Sequence, residues 1–142
     1  MSIKTPYLFN RNEKAHIVSP DPESLTLVHI DTDEKIDSGI WVDIEGKLAN
    51  AGKTKQWVGI VIEANYYNAA TTIMKPSGNV EAYFGNMRIA TKQFTDDASA
   101  PIKIGDILTI INGKPAKPDT NNTVPVAQVI DRGTDYIEIV TL

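Results

Sequence analysis

The stretch Gly39-Ile40-Trp41-Val42-Asp43-Ile44, followed by Gly46-Lys47, returns as Gly105-Asp106-Ile107-Leu108-Thr109-Ile110-Ile111, followed by Gly113-Lys114. The offsets are 105 − 39 = 66 and 113 − 46 = 67. The likeness runs on, with Val58-Gly59-Ile60-Val61-Ile62 matching Val126-Ala127-Gln128-Val129-Ile130 at 126 − 58 = 68. Val80-Glu81-Ala82-Tyr83 then matches Ile137-Glu138-Ile139-Val140. Self-similarity at a near-constant spacing means two copies of one supersecondary unit, neither of which can cover its own apolar face. Each copy reads as strand, tight turn, long excursion, return strand and third strand. In the second copy Asn112-Gly113 supplies the two positive-φ residues that a type I′ hairpin turn prefers, so Ile111 and Lys114 are expected to flank it. Gly59 and Ala127 occupy equivalent places in the return strands, where a small residue allows close backbone approach or a bend. The copies differ in one excursion. Ile62 to Val80 covers 80 − 62 = 18 positions and Ile130 to Ile137 covers 137 − 130 = 7, which places an insertion of about 11 residues around Tyr66 to Ser77.

The rest of the chain agrees with this reading. From Leu25 onward the segments are short, β-branched and punctuated by Gly, Asn, Asp and Pro, the pattern of an antiparallel β domain. Strands are expected at 25–30, 39–44, 57–64, 80–84, 87–91, 106–111, 126–130 and 136–142. Only 65–74 is long enough to consider as a helix, and Thr71-Thr72 weakens that case. The fold class is therefore all-β, a small antiparallel barrel or sandwich built from two related three-stranded units. The repeat-like halves fall at about 39–84 and 105–142 within one domain spanning 25–142. Residues 1–24, with Pro6, Pro20 and Pro22 and no sustained period, read as an extended N-terminal arm.

Composition narrows the function classes. The chain has 142 residues, 42% of them hydrophobic, enough for one packed domain. Its formal net charge of −4 argues against a grip on phosphate backbones, so nucleic acid is not an expected partner. No apolar run approaches the ~20 residues of a membrane helix, and Met1-Ser2-Ile3-Lys4 has no signal-peptide core behind it. The expectation is a protein neither inserted in a membrane nor secreted through a cleaved signal, without a membrane partner. Cysteine is absent, which removes disulfides, thiolate nucleophiles and cysteine metal sites together.

Gly105, Asp106 and Leu108, the turn Gly113-Lys114, the return strand Val126-Ala127 with Val129, and the terminal run Tyr136 to Leu142 form a pattern that carries a resemblance. Across roughly 25–142 the chain resembles the small β-barrel head decoration (capsid cement) proteins of tailed bacteriophages. The resemblance implies a structural virion protein on the outer surface of an assembled head, commonly a homotrimer, whose partner is the major capsid protein and which locks neighbouring capsomers. The Tyr66 to Ser77 insertion departs from the shorter loops of that family and bears on the docking mode.

Chemistry finds little support. His16 and His29 lack a second histidine at ligand spacing, and Asp31, Asp33 and Asp37 lack the Gly and terminal Glu of a calcium loop, so no metal and no cofactor is expected. Asp96-Asp97 reads as a solvated loop, because adjacent side chains diverge and paired catalytic acids must converge. Ser24, Ser38, Ser77 and Ser99 have no nucleophile elbow around them. Asp37-Ser38-Gly39 and Ile104-Gly105-Asp106 are similar to short stretches of trimeric dUTP pyrophosphatases, whose other nucleotide-contacting motifs are missing here. The chain is therefore expected not to be an enzyme.

Candidate contact residues come from apolar side chains in places where a core is hard to build. Tyr7, Leu8 and Phe9, with Arg11 beside them, concentrate apolar surface in the arm, and Tyr66 and Tyr67 do so in the insertion. These six are the expected capsid- or partner-binding residues. Trp41 and Trp57 are expected in the core. The basic loop Lys114-Pro115-Ala116-Lys117-Pro118 is a stiff candidate for an acidic surface. The alternative from another class is a carbohydrate- or receptor-binding β module of a head or tail fibre. There Tyr66 and Tyr67, with Asn65 and Asn68, would stack on and hydrogen-bond to a sugar.

Overall fold

The computed structural model describes Phe9, residues 13–66 and 78–142, and the backbone of 68–69 and 72–73. Among the described residues twelve strands follow one another: β1 (Ala15–Ser19), β2 (Thr26–Asp31), β3 (Trp41–Val42), β4 (Gly59–Ile60), β5 (Asn68–Ala69), β6 (Thr72–Ile73), β7 (Asn79–Phe84), β8 (Arg88–Thr91), β9 (Ile107–Ile111), β10 (Lys114–Ala116), β11 (Ala127–Arg132) and β12 (Ile137–Thr141). The only helical turn among the described residues is the 3-10 segment Pro22–Ser24, opened by the Asp21 carboxylate accepting from the Glu23 N–H. The strands form two antiparallel sheets, of order β1-β8-β12-β11-β9-β10 and β2-β7-β4-β3, consistent with a small sandwich. β5 and β6 make a separate two-stranded ribbon inside the insertion, where a helix had been the alternative.

One arrangement occurs twice. In sequence order β2, β3, β4 and β7 lie side by side as β2-β7-β4-β3, and β8, β9, β11 and β12 lie as β8-β12-β11-β9. In each, three successive strands of the sheet meander and the strand before them returns beside the last, which is a Greek key. The registers repeat as well. Trp41 faces Ile60 and Val42 faces Gly59, as Ile107 faces Gln128 and Leu108 faces Ala127. Ile60 faces Tyr83 as Gln128 faces Val140, and Val80 faces Ile30 as Ile137 faces Thr91. The shared residue pattern of the two halves is thus matched by equivalent partners in each strand pair of the key, although β11 and β12 pair over five residues with a register shift where β4 and β7 share one rung.

The two turns repeat too. Gly46 and Gly113 both adopt the left-handed region, at φ +79° and +81°. Asn112, at φ +48°, joins Gly113 in the β9–β10 hairpin turn, and Ile111 pairs with Lys114 across it. At Gly113 a Cβ would lie 2.9 Å from Ile40 Cγ2, whereas at Gly105, φ +94°, it would meet nothing within 4 Å. Gly113→Ala is therefore expected to cost about 2 kcal/mol, for strain and crowding together, against about 1 kcal/mol for Gly105→Ala, which pays strain alone. Urea midpoints of the two variants test this. Equal shifts would remove crowding from the account.

Some strands are shorter than their sequence pattern. Of 39–44 only Trp41–Val42 pairs regularly, because the Asp43 carboxylate accepts the N–H groups of Glu45 and Lys47 and pulls the chain into its turn at once. Of 57–64 only Gly59–Ile60 does, although Val61 continues irregularly, accepting from the Gly39 N–H and donating to Ile40 O. β1 lies within the stretch read as an arm. It pairs along β8, and Ala15 and Ile17 are buried in the core, so the prolines at 20 and 22 follow a strand instead of belonging to an irregular lead-in.

Two apolar clusters hold the layers. The larger joins Trp41 and Ile60 of the four-stranded sheet to Ile89, Leu108, Ile110, Ala127, Val129, Ile137 and Ile139 of the six-stranded sheet, with Ala15 and Ile17 from β1. The smaller gathers Ile30, Val42, Val61, Val80 and Ala82 with Ile36 and Ile40 from the loop between β2 and β3. Because Trp41 and Val42 are neighbours in one strand and belong to different clusters, the four-stranded sheet is buried on both faces there. At this corner the sheets are stitched by backbone: the Trp41 N–H donates to Gly113 O and the Gly113 N–H to Ala49 O, each at 2.8 Å.

Candidate partner-binding surface

Of the six candidate contact residues, Phe9 and Tyr66 are described; Tyr7, Leu8, Arg11 and Tyr67 lie outside the described residues. Phe9 is half-buried against its own chain. Its ring meets Tyr136 edge-on, with centroids 6.3 Å apart at 62°, and Lys92 Nζ stands 4.7 Å from its centroid. Tyr66 is half-buried near the loop that closes the smaller cluster, with Lys35 Nζ 5.8 Å from its centroid. The two rings share no contact. Asn65, next to Tyr66, is engaged at both ends of its amide: its Oδ1 accepts from the Ile36 N–H and its Nδ2 donates to Glu34 O, both at 2.8 Å, which ties the insertion to the β2–β3 loop.

The acidic residues act in the architecture. Asp37 accepts from Lys14 Nζ, from Gln93 Nε2 at 3.3 Å and from the Ser38 N–H at 2.8 Å, binding the 37–39 turn to the segment before β1. Ser38, 1% exposed, accepts the Lys14 N–H, a structural use of its hydroxyl. Asp31, Asp33 and Glu34 line an open depression with Glu45 and Lys47, and among the described residues no group of three or more His, Cys, Asp or Glu is placed to hold a metal ion. His16 and His29 are exposed, 3.6 Å from Glu13 and 3.4 Å from Glu81.

Asp96 and Asp97 diverge. Asp96 accepts the Ile102 N–H at 2.8 Å and Arg132 Nη2 at 2.7 Å, while Arg132 Nη1 donates to Ile102 O and its guanidinium lies 5.3 Å from the Phe94 ring centroid. Asp97 accepts both the N–H and the hydroxyl of Ser99. The Ile102 hydrogen bond, then Arg132, hold the Asp96 carboxyl below its ordinary pKa, and the Ser99 bonds do the same for Asp97. A carboxyl whose pKa is lower folded than unfolded stabilises fully above its unfolded value, about pH 4, and loses that contribution as pH falls through the folded value. Melting temperature is thus expected to fall on acidification below about pH 4, and to fall less steeply in Asp96→Asn. Parallel profiles for the two proteins would remove Asp96 from the acid response.

Among the described residues, exposed large apolar side chains lie elsewhere, Ile44, Ile104, Leu142 and Phe84 foremost. Trp57, half-buried, stacks on Phe84 with centroids 5.8 Å apart at 26°, and Phe84 is itself 44% exposed. Leu27, 39% exposed, is paired with Tyr83 beside it. Sequence reasoning missed this pair. The available signal was Tyr83-Phe84, where two consecutive aromatic residues break the alternation of Val80-Glu81-Ala82, so that one of them has to leave the core. The basic loop is tied down: Lys117 Nζ is 3.7 Å from Asp106, and Pro115 O accepts the Thr95 N–H.

Comparison of the chain with protein-family models, with curated proteins and with solved structures returns no match.

Proposed function

We propose that this chain is a structural virion protein that binds the outer surface of an assembled phage head, as a homotrimer, and stabilises contacts between capsomers of the major capsid protein. The observation that carries the reading is the run Gly105, Asp106, Leu108, Gly113, Lys114, Val126, Ala127, Val129, which resembles the head decoration proteins; Leu108 lies on β9, Lys114 on β10, and Ala127 and Val129 on β11. A clamp of this kind works by burying apolar side chains between neighbouring subunits, so that expansion or internal pressure must first expose them. Exposed Phe84 and Leu27 are suited to that use; the candidate residues of the arm and insertion are proposed beside them from the sequence alone.

Sedimentation with assembled, decoration-free phage heads, using isolated capsid subunits as control, tests the reading. Saturable binding to heads alone is expected, with a stoichiometry that reports the symmetry position. Removal of residues 1–11 spares β1 and is expected to leave a folded protein that has lost most head binding. Undiminished binding would take the arm out of the interface, and binding to subunits as strong as to heads would overturn the clamp.

A further inference from the structure

Beside the Trp57–Phe84 stack the space between the two sheets opens to solvent as a cavity of about 270 Å³. Trp41 and Met87, members of the inter-sheet core, form its floor, and Val58, Val124 and Val126, which pack on that core, belong to its walls. The cavity is therefore an unfilled continuation of the core, and it holds its shape because the elements that line it are anchored in both sheets. Phe84 and Lys55 line it and are exposed. Lys55, like Lys35, Lys53, Lys103 and Lys114, makes no ion pair among the described residues, and of these only Lys55 lines the cavity.

Size and rim together define the occupant. Large aliphatic or aromatic side chains fit a space of this volume, but a free molecule of that size would leave Phe84 and Leu142, which line the mouth and are 44% and 55% exposed, in water. A polypeptide covers the rim while it fills the cavity, and the cation at the mouth selects an acidic neighbour over a basic one. We propose that this cleft seats a segment of a protein partner, which inserts one large apolar side chain against Trp41 and Met87 and sets a carboxylate beside Lys55. The identity of that partner as the major capsid protein rests on the function proposed above; the chemistry of the segment does not.

Two acetylated, amidated tripeptides, Glu-Phe-Glu and Lys-Phe-Lys, serve as probes, titrated into the full chain and followed by backbone amide shifts. The acidic peptide is expected to move Gly85, Asn86 and Val126 and to bind about fivefold more tightly than the basic one. Lys55→Glu, a change at an exposed position that leaves the core intact, is expected to reverse that order. Shifts away from the cleft, or an order unchanged in Lys55→Glu, would overturn the proposal even if heads bind. The expected reversal carries the proposal even if heads do not bind, in which case the capsid reading alone falls.

Discussion

Trp41→Ala is expected to lower the unfolding free energy by about 3–5 kcal/mol, a large fraction of the total for a domain of this size. The side chain is 2% exposed and belongs to the cluster that joins the sheets, while its backbone N–H bonds to Gly113 O and its carbonyl accepts from Ala49. Truncation removes the floor of the cleft as well, so the walls cannot close over the space and much of the cavity penalty is kept. The indole Nε1 is buried without a hydrogen-bond partner among the described residues. Trp41→Phe keeps most of the apolar contact and deletes that donor, and should cost less than about 2 kcal/mol. Urea unfolding of both variants decides the matter: a Phe variant as damaged as the Ala variant would mean that the indole nitrogen has a use not visible in its surroundings.

Gly133→Val should be nearly as damaging, at about 3 kcal/mol, although the site lies outside any strand. The Tyr136 ring lies across Gly133 so closely that any Cβ there would fall among the ring carbons, while the Gly133 N–H bonds to Tyr136 O at 2.9 Å and fixes the backbone beneath. Tyr136 is 6% exposed and bears Phe9 on its edge, so the ring has to leave a buried position and lose that contact. Tyr136→Ala in the same background is the check. If the clash is the cause, the double variant loses less than the sum of the two single losses.

The repeat made the fold legible, because equal spacings of Gly, Val and Ile fix equal partners across the sheet once one hairpin turn is set. Asn112-Gly113 set it. β1 was hidden, because His16-Ile17-Val18 is short and bounded by Pro20, and its strand character comes from burial of Ala15 and Ile17 against a sheet more than seventy positions away. The ribbon of β5 and β6 was hidden for a similar reason: local pattern in 65–74 fits a weak helix, and the pairing of Asn68 with Ile73 carries no period to read. At the candidate surface, the adjacency of Asp96 and Asp97 implied only that their side chains diverge, and the two carboxylates do take different partners. What it did not reveal was the use of Asp96, which depends on Arg132 arriving from β11. The exposure of Phe84 was half legible: Tyr83-Phe84 showed that one ring has to leave the core, and which one it is depends on packing with Trp57 from another segment.

The placement of β1 has a mechanical consequence. β1 and β12 flank β8 and both run antiparallel to it, so they point the same way, with Ala15 level with Ile137 and Ser19 level with Val140. Tension applied between the residue before Ala15 and the residue after Thr141 therefore slides β1 and β12 past β8 along their lengths. Every inter-strand hydrogen bond in that trio bears the load together, whereas a chain gripped at adjacent ends would peel its rungs one at a time. Pulled through those two points the molecule should rupture in a single event, at a force well above that needed when the same sheet is gripped at Ser19 and Thr141.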